Sequence, residues 1–221
     1  MTLRVLVADD QEMVRMGFTG VKFDPAGPYT AYSGHQVSLG VMDRCETFCR
    51  KVREAVGSSA DLLFGTHGQM VPSSAIRLAK RLEKYDPLWF EEPVPPGQEA
   101  AMAEVARATS IPISTGERLC TKYEFQRVLE LGAASILQPD IGRVGGILET
   151  KKIASMAEAY YAQLAPHVYC GPVVAAASNV DNTLGAMAVS PDGSLLYVQD
   201  TTAKALRIVD LSTMTSTATW P

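Results

Sequence analysis

Leu88-Trp89-Phe90-Glu91-Glu92-Pro93 and, one strand-helix unit later, Ile113-Ser114-Thr115-Gly116-Glu117-Arg118 decide how this chain is read. Each stretch is a short apolar run that ends on a carboxylate. If the two runs are neighbouring parallel strands, Glu91 and Glu117 reach the same rim of one sheet. In an α/β barrel the C-terminal strand ends open into a shared cavity, so two carboxylates there could hold a divalent cation over which a substrate carboxylate is activated.

Outward from this pair the pattern alternates strand and helix. Leu3–Ala8, Gly20–Phe23, Asp61–Phe64, Leu88–Phe90, Ile113–Thr115, Ser135–Leu137 and Gln163–Ala165 read as strands. Helices are expected over Gln11–Met16, Met42–Val56, Ser73–Lys84, Glu99–Thr109, Lys122–Leu131 and Ile147–Tyr160, the third with apolar residues at Ile76, Leu78, Ala79 and Leu82. Seven strands with six helical crossovers call for a parallel sheet with helices outside it. A closed barrel of this type has eight strands, so the expected fold is a TIM-barrel-like α/β repeat that is one strand short. Beyond about Ala177 the character changes. Met187–Val189, Leu195–Gln199, Leu206–Val209 and Ser216–Thr219 are short alternating runs with no helix between them, and Pro191-Asp192-Gly193 is a hairpin-turn signal. A short antiparallel β tail is expected, with a boundary between Ser178 and Asn182.

Composition supports a globular chain: 221 residues, 47% hydrophobic and 20% charged, enough for one sizeable core. A formal net charge of -4 with no local Lys/Arg cluster gives no pull toward nucleic acid or anionic lipid. Neither a leader pattern nor an apolar stretch of spanning length is seen, which predicts no membrane partner and a cytoplasmic location. Cys45, Cys49, Cys120 and Cys170 are expected as free thiols; Cys45 and Cys49 are four apart on a helix but lack a second Cys or His pair to complete a zinc site.

From about Gly17 to Ser178 the chain resembles the barrel domain of the enolase superfamily, in its mandelate-racemase-like branch, and within that branch the galactonate-type sugar-acid dehydratases. The residues that carry the resemblance are Trp89-Phe90-Glu91-Glu92-Pro93, Thr115-Gly116-Glu117-Arg118-Leu119, Gln138-Pro139-Asp140, Gly145-Gly146 with Glu149 to Ala154, and His167 followed by Gly171-Pro172. The resemblance implies a lyase. Mg²⁺ binds the carboxylate of an aldonic or aldaric acid, a base removes the neighbouring C–H proton to give an enediolate, and the β-hydroxyl leaves to yield a 2-keto-3-deoxy acid. It also implies roles. Glu91 and Glu117 match metal ligands, His167 the general base and Asp140 the partner that orients it. His67, in Gly65-Thr66-His67-Gly68-Gln69, matches the acid that protonates the leaving hydroxyl. Lys22, in Val21-Lys22-Phe23-Asp24, matches a lysine that faces the enediolate.

Departures from the pattern are as informative. Where the family carries its third metal-binding Asp, two residues before His67, this chain has Gly65. The capping domain expected before the barrel and an acidic eighth strand after residue 178 are not found in the sequence. Residues 1–18 instead resemble the first strand and helix of a response-regulator receiver, with Asp9 and Asp10, and residues 182–221 resemble one blade of a YVTN-type propeller. The expected organisation is therefore a mosaic: a receiver-like opening over 1–18, a partial barrel over 17–178 and a β tail over 182–221. Two readings of function follow, a Mg²⁺-dependent sugar-acid dehydratase and a catalytically inactive chimeric scaffold that retains part of a metal site. A phosphorylated signalling module built on Asp9 and Asp10 and a partner-recruiting tail are further readings. The edge where an eighth strand would pair favours self-association into a homo-oligomer.

Overall fold

The computed structural model describes residues 5–6, 19–27 and 33–168, together with four strand backbones between residues 184 and 220. Seven strands form one sheet: β1 (Val5–Leu6), β2 (Gly20–Phe23), β3 (Asp61–Phe64), β4 (Pro87–Glu91), β5 (Ile113–Thr115), β6 (Ile136–Leu137) and β7 (Gln163–Leu164). They pair in chain order and every pair is parallel, with β1 and β7 at the two ends. Among the described residues, five helices connect them: α1 (Leu39–Val56), α2 (Pro72–Leu82), α3 (Glu99–Ala108), α4 (Lys122–Glu130) and α5 (Ile147–Ala159). The expected helix Gln11–Met16, the flanks of the expected strand Leu3–Ala8, the boundary at 178–182 and the Pro191-Asp192-Gly193 turn lie outside the described residues.

Strands β8 (Leu184–Val189), β9 (Leu195–Asp200), β10 (Ala205–Asp210) and β11 (Thr215–Trp220) form a separate antiparallel sheet in the order β11-β10-β9-β8, the tail that alternation without helices predicts. Among the described elements, α1 begins three residues before the expected Met42, and the expected helix Ser73–Lys84 is divided. The divided helix is α2. It begins at Pro72, whose missing N–H costs nothing in a first turn, and gives way after Leu82 to a 3-10 turn over Glu83–Tyr85.

Period-two alternation sorts the strand residues onto two faces, and this sorting builds the site. Phe23, Phe64 and Phe90 occupy consecutive registers on one face, their rings meeting edge to face at 5.7 and 5.3 Å. They belong to the main core, with the inner stripe of α1 (Met42, Cys45, Cys49, Val52 and Val56) and with Ala75, Leu78, Ala79 and Leu82 of α2. The spacing of three and four residues along both helices is what delivers those stripes to the sheet. Burial of each such large apolar side chain contributes roughly 2 kcal/mol.

The opposite face carries Lys22, Leu63 and Trp89 in register, with Leu63, Trp89 and Ile136 packed as a smaller cluster. Glu91, the last residue of β4, lies two residues beyond Trp89, and Gln138, just past β6, lies two beyond Ile136, so both continue this inner face. Two of the five described helices begin on a side-chain cap. Ser38 Oγ accepts the Val41 N–H at the start of α1, and Thr121 with Glu124 forms a reciprocal capping box on α4.

Candidate functional site

The C-terminal ends of β2 through β7 and the loops that follow them bring six of the sequence-marked residues together. Glu91 is fully buried. Its Oε1 accepts a hydrogen bond from Lys22 Nζ at 2.6 Å, and its Oε2 accepts from Trp89 Nε1 at 3.2 Å and Gln138 Nε2 at 2.9 Å. Three donors from β2, β4 and the end of β6 thus fix one carboxylate. Lys22 reaches it because Lys22, Leu63 and Trp89 share a face, and because the slot beside the lysine on β3 is empty of side chain. A Cβ placed on Gly65 would stand 3.1 Å from Lys22 Cε and 3.7 Å from its Cγ.

Asp140 is also fully buried. Its Oδ2 lies 2.9 Å from His167 Nδ1, while its Oδ1 accepts the Gly142 N–H at 2.9 Å. A parallel bridge between Asp140 and His167, with His167 N–H donating to Pro139 O at 3.2 Å, carries the β6–β7 pairing past the strands and sets the imidazole against the carboxylate. With Nδ1 donating to Asp140, the other ring nitrogen is the acceptor. That nitrogen, Nε2, is 3.5 Å from Oε2 of Glu117. Glu117 is held there by Gly116, whose φ of +135° and whose close approach to Phe125 admit no side chain.

His67 extends from the loop after β3, with Nδ1 2.9 Å from Asp24 Oδ2. This bond raises the His67 pKa above the usual histidine value against burial, with the charges of Glu117, Asp24 and Glu91 adding to it. His67 therefore tends to hold its proton, and it lies within the field of both strand-end glutamates.

Two residues that sequence reasoning left unassigned complete the rim. Glu92 is fully buried and stands at φ +38°. Its Oε2 accepts from Arg118 Nε at 2.8 Å and Nη2 at 2.5 Å, and Arg118 Nη2 also donates to His67 O at 2.8 Å. Burial, reinforced by the charges of Glu117 and Glu91, pushes the Glu92 carboxyl up to about 7 against the pull of Arg118. The pair ties the His67 loop to β4 and β5, aided by Thr66 Oγ1, which donates to the carbonyls of Glu91 and Glu92. Adjacency to Glu91 and Glu117 was the available signal for Glu92 and Arg118. Which of two consecutive glutamates faces the cavity is set by the backbone turn at Glu92, which the sequence does not display.

The profile of the enolase C-terminal domain-like family matches residues 6–208. The chain belongs to the enolase superfamily. Among proteins of known sequence, it is 46% identical over 127 residues to a D-galactonate dehydratase from Ralstonia pickettii strain 12J and to one from Cronobacter sakazakii strain ATCC BAA-894, in each case 58% of this chain and 33% of the relative. Among solved structures, it is 77% identical to a provisionally named mandelate racemase/muconate lactonizing enzyme from Burkholderia SAR-1, with a TM-score of 0.75 over 76% of this chain and 42% of that one. A provisionally named galactarate dehydratase from Agrobacterium radiobacter, solved with sodium and L-malate bound, is 32% identical with a TM-score of 0.66 over 75% of this chain and 42% of that one. The enolase-superfamily chain described here thus spans about a third of its curated relatives' length and less than half of those solved chains.

Members of the superfamily use Mg²⁺, and the side chains present here test whether such an ion fits. Mg²⁺ takes six oxygen ligands in an octahedron. Both oxygens of Glu91 are already engaged, one by a cation, and Gly65 supplies no third carboxylate. Among the described residues, no three His, Cys, Asp or Glu side chains converge on a point that could hold a metal. The arrangement does not fit a divalent cation at Glu91. The expected bland reading of Cys45 and Cys49 agrees with their burial, which pushes both thiols up to about 12.

Proposed function

We propose that this chain carries the proton-transfer half of a sugar-acid dehydratase site, acting on an aldonic or aldaric acid by α-proton abstraction and loss of the β-hydroxyl. The observation that carries the reading is the His167–Asp140 contact at 2.9 Å beside Glu117. A buried carboxylate that accepts a hydrogen bond from Nδ1–H leaves Nε2 as the ring's acceptor, facing the rim. His167 Nε2 takes the proton α to the substrate carboxylate, and the electron pair moves to form the enediolate. That pair then returns to form the Cα–Cβ double bond as the β C–O bond breaks. His67, its proton held by the bond to Asp24, protonates the departing hydroxyl as water. The enol that remains tautomerises to a 2-keto-3-deoxy acid. Lys22 Nζ lies on the same face, as a positive charge toward which the developing oxyanion can be drawn.

The relatives support the substrate class: two are D-galactonate dehydratases, and the structural neighbour with L-malate is named for galactarate. The test is a panel of aldonic and aldaric acids assayed for 2-keto-3-deoxy product, with solvent deuterium exchange at Cα followed in parallel by NMR. Exchange or product that disappears in His167→Asn supports the reading. Silence in both assays across the panel sinks it.

A second reading is favoured by the closure of Glu91 by Lys22, Trp89 and Gln138. In it, the chain is a catalytically inactive mosaic scaffold with a receiver-like opening over 1–18, a partial barrel over 17–178 and a propeller-like tail over 182–221. Ordinary thermal stability with no exchange and no product is the result it expects.

A further inference from the structure

We propose that the Lys22 ammonium is the resident cation of this chain, seated on Glu91 where other superfamily members hold a divalent ion, and that it equips the rim to receive a small organic carboxylate without metal. Three observations meet at this point. Lys22 Nζ is 2.6 Å from Oε1 of a carboxylate with no exposure of its own, a distance that belongs to a charge-assisted bond. Trp89 and Gln138 complete the hydrogen-bonding of the other oxygen, so the carboxylate is held by one cation and two neutral donors. Gly65 opens the space the lysine stem crosses, since even a Cβ there would press on Cε at 3.1 Å. The absence of a side chain at residue 65 leaves Lys22 its extended path to Glu91, which a carboxylate there would crowd.

The lysine is also placed to act on a ligand. Its side chain keeps about a quarter of its surface open (26%), whereas Glu91 has none, so the ammonium is the accessible side of the pair. An ammonium has three N–H donors and spends one on Glu91. The remaining donors suit the carboxylate or α-hydroxyl of a hydroxy acid. His67, raised in proton affinity and bonded to Asp24, adds a second donor group at the same rim. The inference does not rest on turnover, because cation occupancy and anion binding are both read without it.

The experiment titrates the intact chain with Mn²⁺, followed by electron paramagnetic resonance of the free ion, beside Glu91→Gln and the double variant Lys22→Ala/Gly65→Asp. The wild-type chain is expected to bind no Mn²⁺ at Glu91 up to millimolar concentration. The double variant, which removes the ammonium and restores a third carboxylate, is expected to gain a site at least tenfold tighter than any wild-type binding, with Mg²⁺ competing. Mn²⁺ binding to the wild-type chain that Glu91→Gln abolishes overturns the proposal. So does a double variant that is folded by circular dichroism yet gains no site. If the double variant does not fold, the wild-type and Glu91→Gln titrations decide alone. D-malate and L-malate then serve as anion probes by calorimetry without metal: binding weakened at least tenfold in Lys22→Met supports the carboxylate-receiving role, and binding unchanged by that substitution, or absent from the wild type, overturns it.

Discussion

Arg118→Met perturbs the contact on which the His67 loop depends. Arg118 places two N–H donors on a fully buried Glu92 and a further bond on the His67 carbonyl. Removing one partner of a buried ion pair ordinarily costs about 3–5 kcal/mol, because the other charge is left uncompensated. Here the cost depends on pH. Burial holds the Glu92 carboxyl at about 7 even with Arg118 present, so near neutrality half of the folded molecules already carry it protonated. A raised carboxyl pKa means the folded state binds the proton more tightly than the unfolded chain. Stability of the wild type therefore falls as pH rises from the ordinary carboxylate range to about 7, and this contribution is flat above it. Without Arg118 the folded pKa rises further and the fall continues to higher pH. At pH 9, two units above the wild-type value, the extra penalty reaches about 3 kcal/mol at 1.36 kcal/mol per unit, whereas at pH 6 it is close to zero. The lost bond to His67 O adds about 1 kcal/mol at every pH. Urea unfolding of the wild type, Arg118→Met, Glu92→Gln and the double variant at pH 6, 7.5 and 9 measures this directly. The penalty of Arg118→Met should grow with pH and lose that slope in the Glu92→Gln background. A penalty of 3 kcal/mol or more that is the same at all three values would refute the reasoning, since Glu92 would then be ionised throughout.

Asp140→Asn leaves the shape of the His167 contact but lets the imidazole take the wrong tautomer; if the chain turns over, product formation or α-deuterium exchange should fall about 10²–10⁴-fold with little change in KM. Glu83 gathers Lys80 Nζ, Thr109 Oγ1 and the Ser110 N–H, which hold its carboxyl down at about 2. That contribution is present above the ordinary glutamate pKa and lost as pH falls from 4.5 toward 2; screened by solvent it amounts to about 1 kcal/mol, so Glu83→Gln should destabilise by that much in urea at pH 7 and by nothing measurable near pH 2. Gly116→Ala drives a methyl to 2.6 Å from Phe125 at φ +135° and should cost more than about 2 kcal/mol in the same assay. Iodoacetamide mapped by peptide mass should label exposed Cys120 in the native chain, while Cys45 and Cys49 react only on unfolding.

How far the sequence carries depends on the distance over which each residue acts. The strands around Phe64, Phe90 and Ile113 and the stripe Met42–Cys45–Cys49–Val52–Val56 were legible because alternation and helical spacing are local. Glu91, Glu117, Asp140 and His167 were legible as strand-end residues, and the fold places them on one rim. The seating of Lys22 on Glu91 joins residues 69 apart and depends on the space left by Gly65, so no window of sequence contains it. Arg118 and Glu92 were missed for a related reason: the left-handed turn at Glu92 ends the alternation that would have placed its side chain.

Seen together, Lys22, Gly65 and Glu91 replace a metal-ligand charge with an ion pair. Three carboxylates around a divalent ion, with the family lysine that Lys22 matches, the arrangement the resemblance implies, sum to neutral. Glu91 and Glu117 with the Lys22 ammonium carry minus one. A buried carboxylate without its cation would be costly, and loss of the residue 65 carboxylate alone would leave a divalent site short of a ligand. Pairing that loss with an ammonium on Glu91 compensates the buried carboxylate while changing what the rim can do. A single charge shared with Glu91 draws less on a developing enediolate than a divalent ion does, so any proton abstraction by His167 should be slower than in the dehydratase relatives and indifferent to chelators. Deuterium exchange into a bound hydroxy acid that is unaffected by EDTA but lost in Lys22→Met is the outcome this pairing requires; exchange that needs added Mg²⁺ would show that the ion displaces the lysine.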